Sequence, residues 1–176
     1  MKKVLALLIS LAFILSGCLL QPFRKVQRLV RSNSTKAEFY AWSNAMNFNK
    51  DELDFHKRMN SWFLKNGVYK ADGIIDYPRD HLITHAWRAG DCDDWSSMFM
   101  EASFQVGYES FLMTVDSYHT VCFFKYKDKL YHNSNWSGVR GGFSNHVELA
   151  RSIITDFSNA IIRDRNLKEI MKVKNE

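Results

Sequence analysis

Apolar positions recur at helical spacing in the first half of the chain and change to alternation in the second. Over 35–48, Phe39, Trp42 and Met46 fall on one side of a helix. Over 50–65, Leu53, His56, Met59 and Phe63 keep the same rhythm, and Gly67 supplies a stop. The segment 68–78 reads as strand or loop and ends at Tyr77-Pro78. Trp95, Met98, Phe99, Ala102 and Val106 then follow at i, i+3, i+4, i+7 and i+11, the stripe of a buried helix. Asp91 suits the N-cap of that helix, acids in its first turn suit its dipole, and Gly107 ends it.

Beyond residue 109 the period becomes two. Residues 110–115 and 118–126 are rich in Phe, Val, Tyr and Thr and predict two strands. Lys127-Asp128 predicts a tight turn, 129–135 a return strand, and Gly138, Gly141 and Gly142 a loop. Asn145 with Glu148 predicts a capping box, opening a last helix that carries Val147, Ile153, Ile154, Phe157, Ile161 and Ile162. Helices, then strands, then a closing helix imply an α+β domain, with the helix that starts near Cys92 packed on a small antiparallel sheet. The chain has no internal repeat and no low-complexity segment.

The first residues set the expected compartment. Lys2 and Lys3 precede an almost wholly apolar run from Val4 to Leu15, the profile of a secretory signal peptide. That run is about a dozen residues, against roughly 20 for a spanning helix. The Leu15-Ser16-Gly17-Cys18 string resembles the bacterial lipobox, which implies cleavage of 1–17, lipidation of Cys18 and a membrane-anchored lipoprotein facing the periplasm. Residues 18–36 then read as a tether. Its Arg24, Lys25, Arg28 and Arg31 either touch anionic head groups or simply keep a linker solvated. Residues 37–176 are left as one domain, large enough to bury a core. A composition of 46% hydrophobic and 14% aromatic residues excludes a disordered chain. The net charge of +5 drops to +3 without Lys2 and Lys3, too small and too scattered for a nucleic-acid surface.

With Cys18 lipidated, Cys92 and Cys122 remain. In an oxidising compartment they are candidates for a disulfide. The alternative is chemical. A cysteine at a helix N-terminus sees unpaired N–H groups and partial positive charge, and a histidine opening a nearby strand, His119, is placed to take its proton. Cys122 alternates with apolar strand neighbours and reads as a buried, inert thiol. His56 reads as a packing residue at the core edge and His146 as structural. His81 and His85, four apart, would face one metal only on a helix and lack an accompanying glutamate motif. His132 is placed either in the cleft with His119 or on the strand surface. Trp136 is a candidate lip for substrate.

The strings GDCDDW at 90–95, YHTVCFF at 118–124 and KLYHNSNW at 129–136 together resemble the bacterial transglutaminase-like cysteine proteases of the papain-like superfamily. The resemblance covers about residues 68–136. It implies a papain/transglutaminase-like core with Cys92 as nucleophile, His119 as base and an Asp on the next strand. The chain departs from the pattern at that Asp, which falls at or beside Ser134. A two-residue turn at Lys127-Asp128 pairs Val121 with Ser134, placing Ser134, His132 and His119 on one face. A bulge would reverse the assignment and offer Asn135 instead, as Asn serves in papain-like enzymes. Some relatives bind calcium through acids flanking the cysteine. The matching positions are Asp91 and Asp93, and the alternative for both is capping and dipole pairing alone. The resemblance thus implies a thiol hydrolase or acyl transferase acting on an amide of a peptide or protein in the cell envelope, requiring no cofactor. The absent Asp leaves open a catalytically inactive, transglutaminase-like binding module.

Overall fold

The computed structural model describes residues 35–71 and 80–175. The signal segment, Cys18 and nearly all of the expected tether lie outside the described residues, as does most of the segment ending at Tyr77-Pro78. No helix among the described residues is long and apolar enough to cross a membrane.

Residues 35–46 form α1. Helix α2, Glu52–Asn66, starts where the Asp51 carboxylate accepts the Asp54 N–H at 2.8 Å, and it stops at Gly67. A Cβ on Gly67 would lie 2.4 Å from the Phe63 ring, so the stop depends on close approach. Phe55, His56, Met59, Asn60 and Phe63 are its buried face. A short parallel pair, β1 (Val68–Tyr69) with β2 (Ala89–Gly90), brackets α3 (His81–Trp87), a seven-residue helix that the periodicity does not announce. His81 and His85 lie on α3, but their rings pack on Phe39, Trp42 and Trp62.

Helix α4, Cys92–Gln105, begins in a capping box of Asp91 and Asp94. It buries Trp95, Met98, Phe99 and Ala102, the predicted stripe. Gly107 takes φ +86° just beyond it.

Strands β3 (Ser110–Val115), β4 (His119–Tyr126), β5 (Lys129–Ser134), β6 (Gly138–Phe143), β7 (Asn159–Arg163) and β8 (Glu169–Lys174) make one antiparallel sheet in the order β6-β5-β4-β3-β7-β8. Asp116-Ser117 and Lys127-Asp128 all have positive φ; the first pair lies in a three-residue β3–β4 connection and the second makes a two-residue β4–β5 turn, and the two fix the registers of those hairpins. Strand β4 is buried on both faces. Cys122 and Phe124 point to α2 and α4, where Phe39, Phe55, Met59, Trp95 and Phe99 form one core. Val121 and Phe123 point to the other face, where helix α5 (His146–Ile153) contributes Leu149 and Ala150 to a second core. The α+β class expected from the element order is therefore present.

Two expectations are corrected. The glycines at 138–142 do not make a loop; they lie in β6. Gly141 has no room for a side chain, because its Cβ would fall 1.8 Å from the Tyr131 ring. Gly141→Ala is expected to destabilise the domain by about 1–3 kcal/mol, since the rigid ring must move. A thermal melt would show this as a fall of several degrees. The last helix is also shorter than the apolar pattern suggested. Asn145 caps it through the Glu148 N–H at 2.9 Å, but the Glu148 carboxylate answers the Ser144 N–H rather than that of Asn145. It stops at Ile153, and Ile161 and Ile162 lie in β7. Ile161 and Ile162 are β-branched and alternate in burial, which suits a pleated strand.

Candidate active site

Strand β5 ends at Ser134, so the edge of β4 beyond Val121 has no strand beside it. The N-terminus of α4 fills this position. Ser96 Oγ donates to the Thr120 carbonyl at 2.9 Å, and the Thr120 backbone N–H faces the Cys92 sulfur. Cys92 is the first residue of α4, half-buried and free, and Cys122 is buried and free. The Cys92–Cys122 disulfide is thus not formed in this structure. Burial pushes the Cys122 thiol up to about 12, as expected of an inert core thiol.

His119 opens β4 and is 2% exposed. Its Nε2 lies 2.9 Å from Ser134 Oγ, and its Nδ1 is buried without a hydrogen-bond partner among the described residues. The Trp136 indole stacks on the imidazole at 3.9 Å between centroids and 10° between planes. The Trp136 backbone N–H also donates to Ser134 Oγ at 3.1 Å. Ring plane and Nε2 are thus both held. Cys92 and His119 line one cleft of about 400 Å³, together with Asp93, Thr114, Tyr118 and Arg163.

Of the two candidates for the third position, Ser134 is the one in contact with His119. Asn135 makes no bond to the imidazole, and its buried Oδ1 has no hydrogen-bond partner among the described residues. The register expected from the Lys127-Asp128 turn holds along β4–β5. The one bulge in β5, at Leu130/Tyr131, affects its pairing with β6. Ser134 is anchored from α2: Asn60 Nδ2 donates to the Ser134 carbonyl and to Asn133 Oδ1, each at 3.2 Å, and Asn133 Nδ2 donates to the His56 carbonyl. Asn60 was missed by sequence reasoning. The available signal is an amide on the buried stripe of α2, four residues after His56, where an apolar residue belongs.

The electrostatics set the resting protonation. Burial raises the Cys92 pKa, the facing Thr120 N–H lowers it, and Asp91 and Asp93 raise it further. Burial lowers His119 to about 4, so the imidazole is neutral at pH 7. Asp91, Asp93 and Asp94 bring carboxylate oxygens within 4.8 Å of one another, a spacing suited to a hard cation. Two of these three residues already form the capping box of α4.

The remaining histidines are packed. His56 stacks on Phe124 at 3.7 Å and 4° and reaches Ser103 Oγ at 3.3 Å. His132 is 1% exposed, stacks on Phe143 and lies close enough to His119 for their charges to interact. It is therefore buried rather than on the strand surface, and it does not line the cleft. Compared with models of known protein families and with curated proteins, the chain matches none.

Proposed function

We propose that the domain is a thiol hydrolase or acyl transferase acting on amides, transglutaminase-like within the papain-like superfamily. We also propose that lipidated Cys18 holds it at the cell envelope, where its substrates are peptides or proteins. The observation that carries this reading is the cleft itself: Cys92 at a helix N-terminus, opposite an imidazole held at Nε2 and unpartnered at Nδ1.

The resting pair is a neutral thiol and a neutral imidazole. As Sγ attacks the amide carbonyl carbon, its proton passes to His119 Nδ1. The negative charge that develops on the carbonyl oxygen is met by the Cys92 backbone N–H at the start of α4. The imidazolium, stabilised through Nε2 by Ser134, returns the proton to the leaving amine. Water then releases the acyl group as an acid, or an amine releases it as a new amide. This chemistry needs no cofactor.

A second reading, a binding module that has lost catalysis, is favoured by the raised Cys92 pKa and by a hydroxyl where the resemblance implies a carboxylate. Alkylation by iodoacetamide, followed at Cys92 by mass spectrometry across pH, separates the two readings. The enzyme reading expects alkylation near pH 7 that falls at least tenfold in His119→Ala. A Cys92 that titrates near 8.5 or above, with no change in His119→Ala, would establish the binding module.

A further inference from the structure

We propose that Arg163 makes the Cys92 cleft selective for amide substrates carrying a carboxylate one or two residues from the scissile carbonyl. This deepens the reading of Cys92 and His119 as an acyl-transfer pair and rests on it.

Arg163 ends β7 and lines the cleft. Among the described residues lining it, Arg163 is the one permanent cation. Its guanidinium is held rather than loose: Nη1 donates to Thr114 Oγ1 at 3.0 Å. Thr114 Oγ1 is in turn 3.0 Å from Thr120 Oγ1, and the Thr120 backbone N–H faces Cys92 Sγ. A chain of contacts across β7, β3 and β4 therefore ties the arginine to the sulfur.

No carboxylate among the described residues neutralises Arg163. Its cross-strand partner, Glu169, pairs with Lys172, and the nearby Asp116 spends its carboxylate on the backbone N–H groups of Ser158 and Asn159. A guanidinium presents five N–H donors in a planar fork matched to a carboxylate. A half-buried guanidinium on a cleft wall, with one fixed hydrogen bond and no acidic partner among the described residues, is suited to recognise an incoming anion.

Charge also sets the direction of binding. Asp91 and Asp93 sit beside Cys92 and raise its pKa, so a substrate carboxylate meets its cation at Arg163 rather than beside the sulfur. Neighbouring strands lie ~4.8 Å apart, so Arg163 starts roughly 10 Å from β4 and its side chain reaches back through Thr114. An extended peptide advances about 3.5 Å per residue, so the part of that distance left after the side chain's reach spans one to two residues from the scissile carbonyl. Tyr118 and Leu167, both exposed on the rim, offer apolar contact to the intervening substrate segment.

The test uses two alkylating probes with the same reactive carbon, N-iodoacetyl-β-alanine and its neutral carboxamide. In both, Cys92 Sγ forms the bond to carbon and iodide leaves. The ratio of the two rates at Cys92 reads recognition independently of thiol activation. The wild-type protein is expected to favour the carboxylate probe about tenfold. Arg163→Gln is expected to bring the ratio to that of a free cysteine peptide, and Arg163→Lys to keep part of the preference. A wild-type ratio equal to the free peptide's, or one that Arg163→Gln leaves unchanged, overturns the proposal. Failure of the acyl-transfer reading gives a different result: the neutral probe alone would react no faster in wild type than in His119→Ala.

Discussion

Cys92→Ala is expected to abolish amide turnover, while Cys122→Ala, which leaves the cleft intact, is expected to retain it. Removing a nucleophile that acts as a unit with its base leaves only background catalysis, a loss on the order of 10³-fold or more. The same substitution should hardly touch stability, because Cys92 is half-buried at a helix start and the Asp91–Asp94 capping box does not involve its side chain. Cys122 shows the opposite balance. Its sulfur is fully buried beside Leu112 in the core under α4, so its loss costs stability but no chemistry. Turnover of fluorogenic peptide amides, with a peptidyl electrophile trapped at the sulfur and located by mass spectrometry, reads the difference. Wild-type turnover that survives in Cys92→Ala would end the Cys-His reading, whatever the behaviour of Cys122.

The contrast between the two cysteines was legible in the sequence because it rests on local rules. An acid before Cys92 and an apolar stripe after it place that residue at a helix mouth. The β-branched and aromatic apolar run around Cys122 places it inside a sheet. The contact between His119 and Ser134 was legible for a similar reason. A two-residue turn at Lys127-Asp128 sets a register in which the two are a diagonal pair on one face, and the bulge that would have offered Asn135 instead is absent from the β4–β5 pairing.

What the sequence concealed depends on tertiary placement. Ile153, Ile154, Phe157, Ile161 and Ile162 fit helical spacing, and no Gly or Pro interrupts them, so β7 was hidden inside an apparent helix, and its partner β8 went without an assignment. Arg163 was hidden with them, because a helical residue there has no reason to meet Thr114. The seven residues of α3 are too few to establish a period. His132 could not be placed by alternation alone. Alternation put it on the His119 face, but only the position of α5 decides that this face is covered.

That covered face makes acid the condition under which the fold should fail. His56, His119 and His132 are held neutral by burial, with pKa values pushed down to about 3, about 4 and about 4 from an ordinary 6.5. Burial moves His85 and His146 in the same direction. A depressed histidine binds fewer protons in the folded than in the unfolded state, so stability rises with pH between the two values and falls on acidification through them. At one pKa unit per 1.36 kcal/mol, lowering the pH from 7 to 5 costs about 2 kcal/mol for each of the three. Glu52 works against this. Burial, then the neighbouring Asp51 and Glu109, raise its carboxyl to about 7, so the folded state takes up that proton more readily than the unfolded state as pH falls. Its side chain is only half-buried, and after solvent screening the offset is about 1 kcal/mol. The histidines win by a margin of roughly 4 to 5 kcal/mol, a large share of a typical domain's 5–15 kcal/mol. The urea midpoint is therefore expected to hold near and above pH 7 and to fall steeply between pH 6.5 and 4. His132→Phe should recover about 2 kcal/mol of the loss at pH 5, because neither nitrogen of His132 has a hydrogen-bond partner to give up among the described residues. A midpoint that stays constant from pH 7 to pH 5 would mean that these imidazoles are not held neutral inside the fold. It would also remove the neutral His119 on which the proposed proton transfer from Cys92 depends.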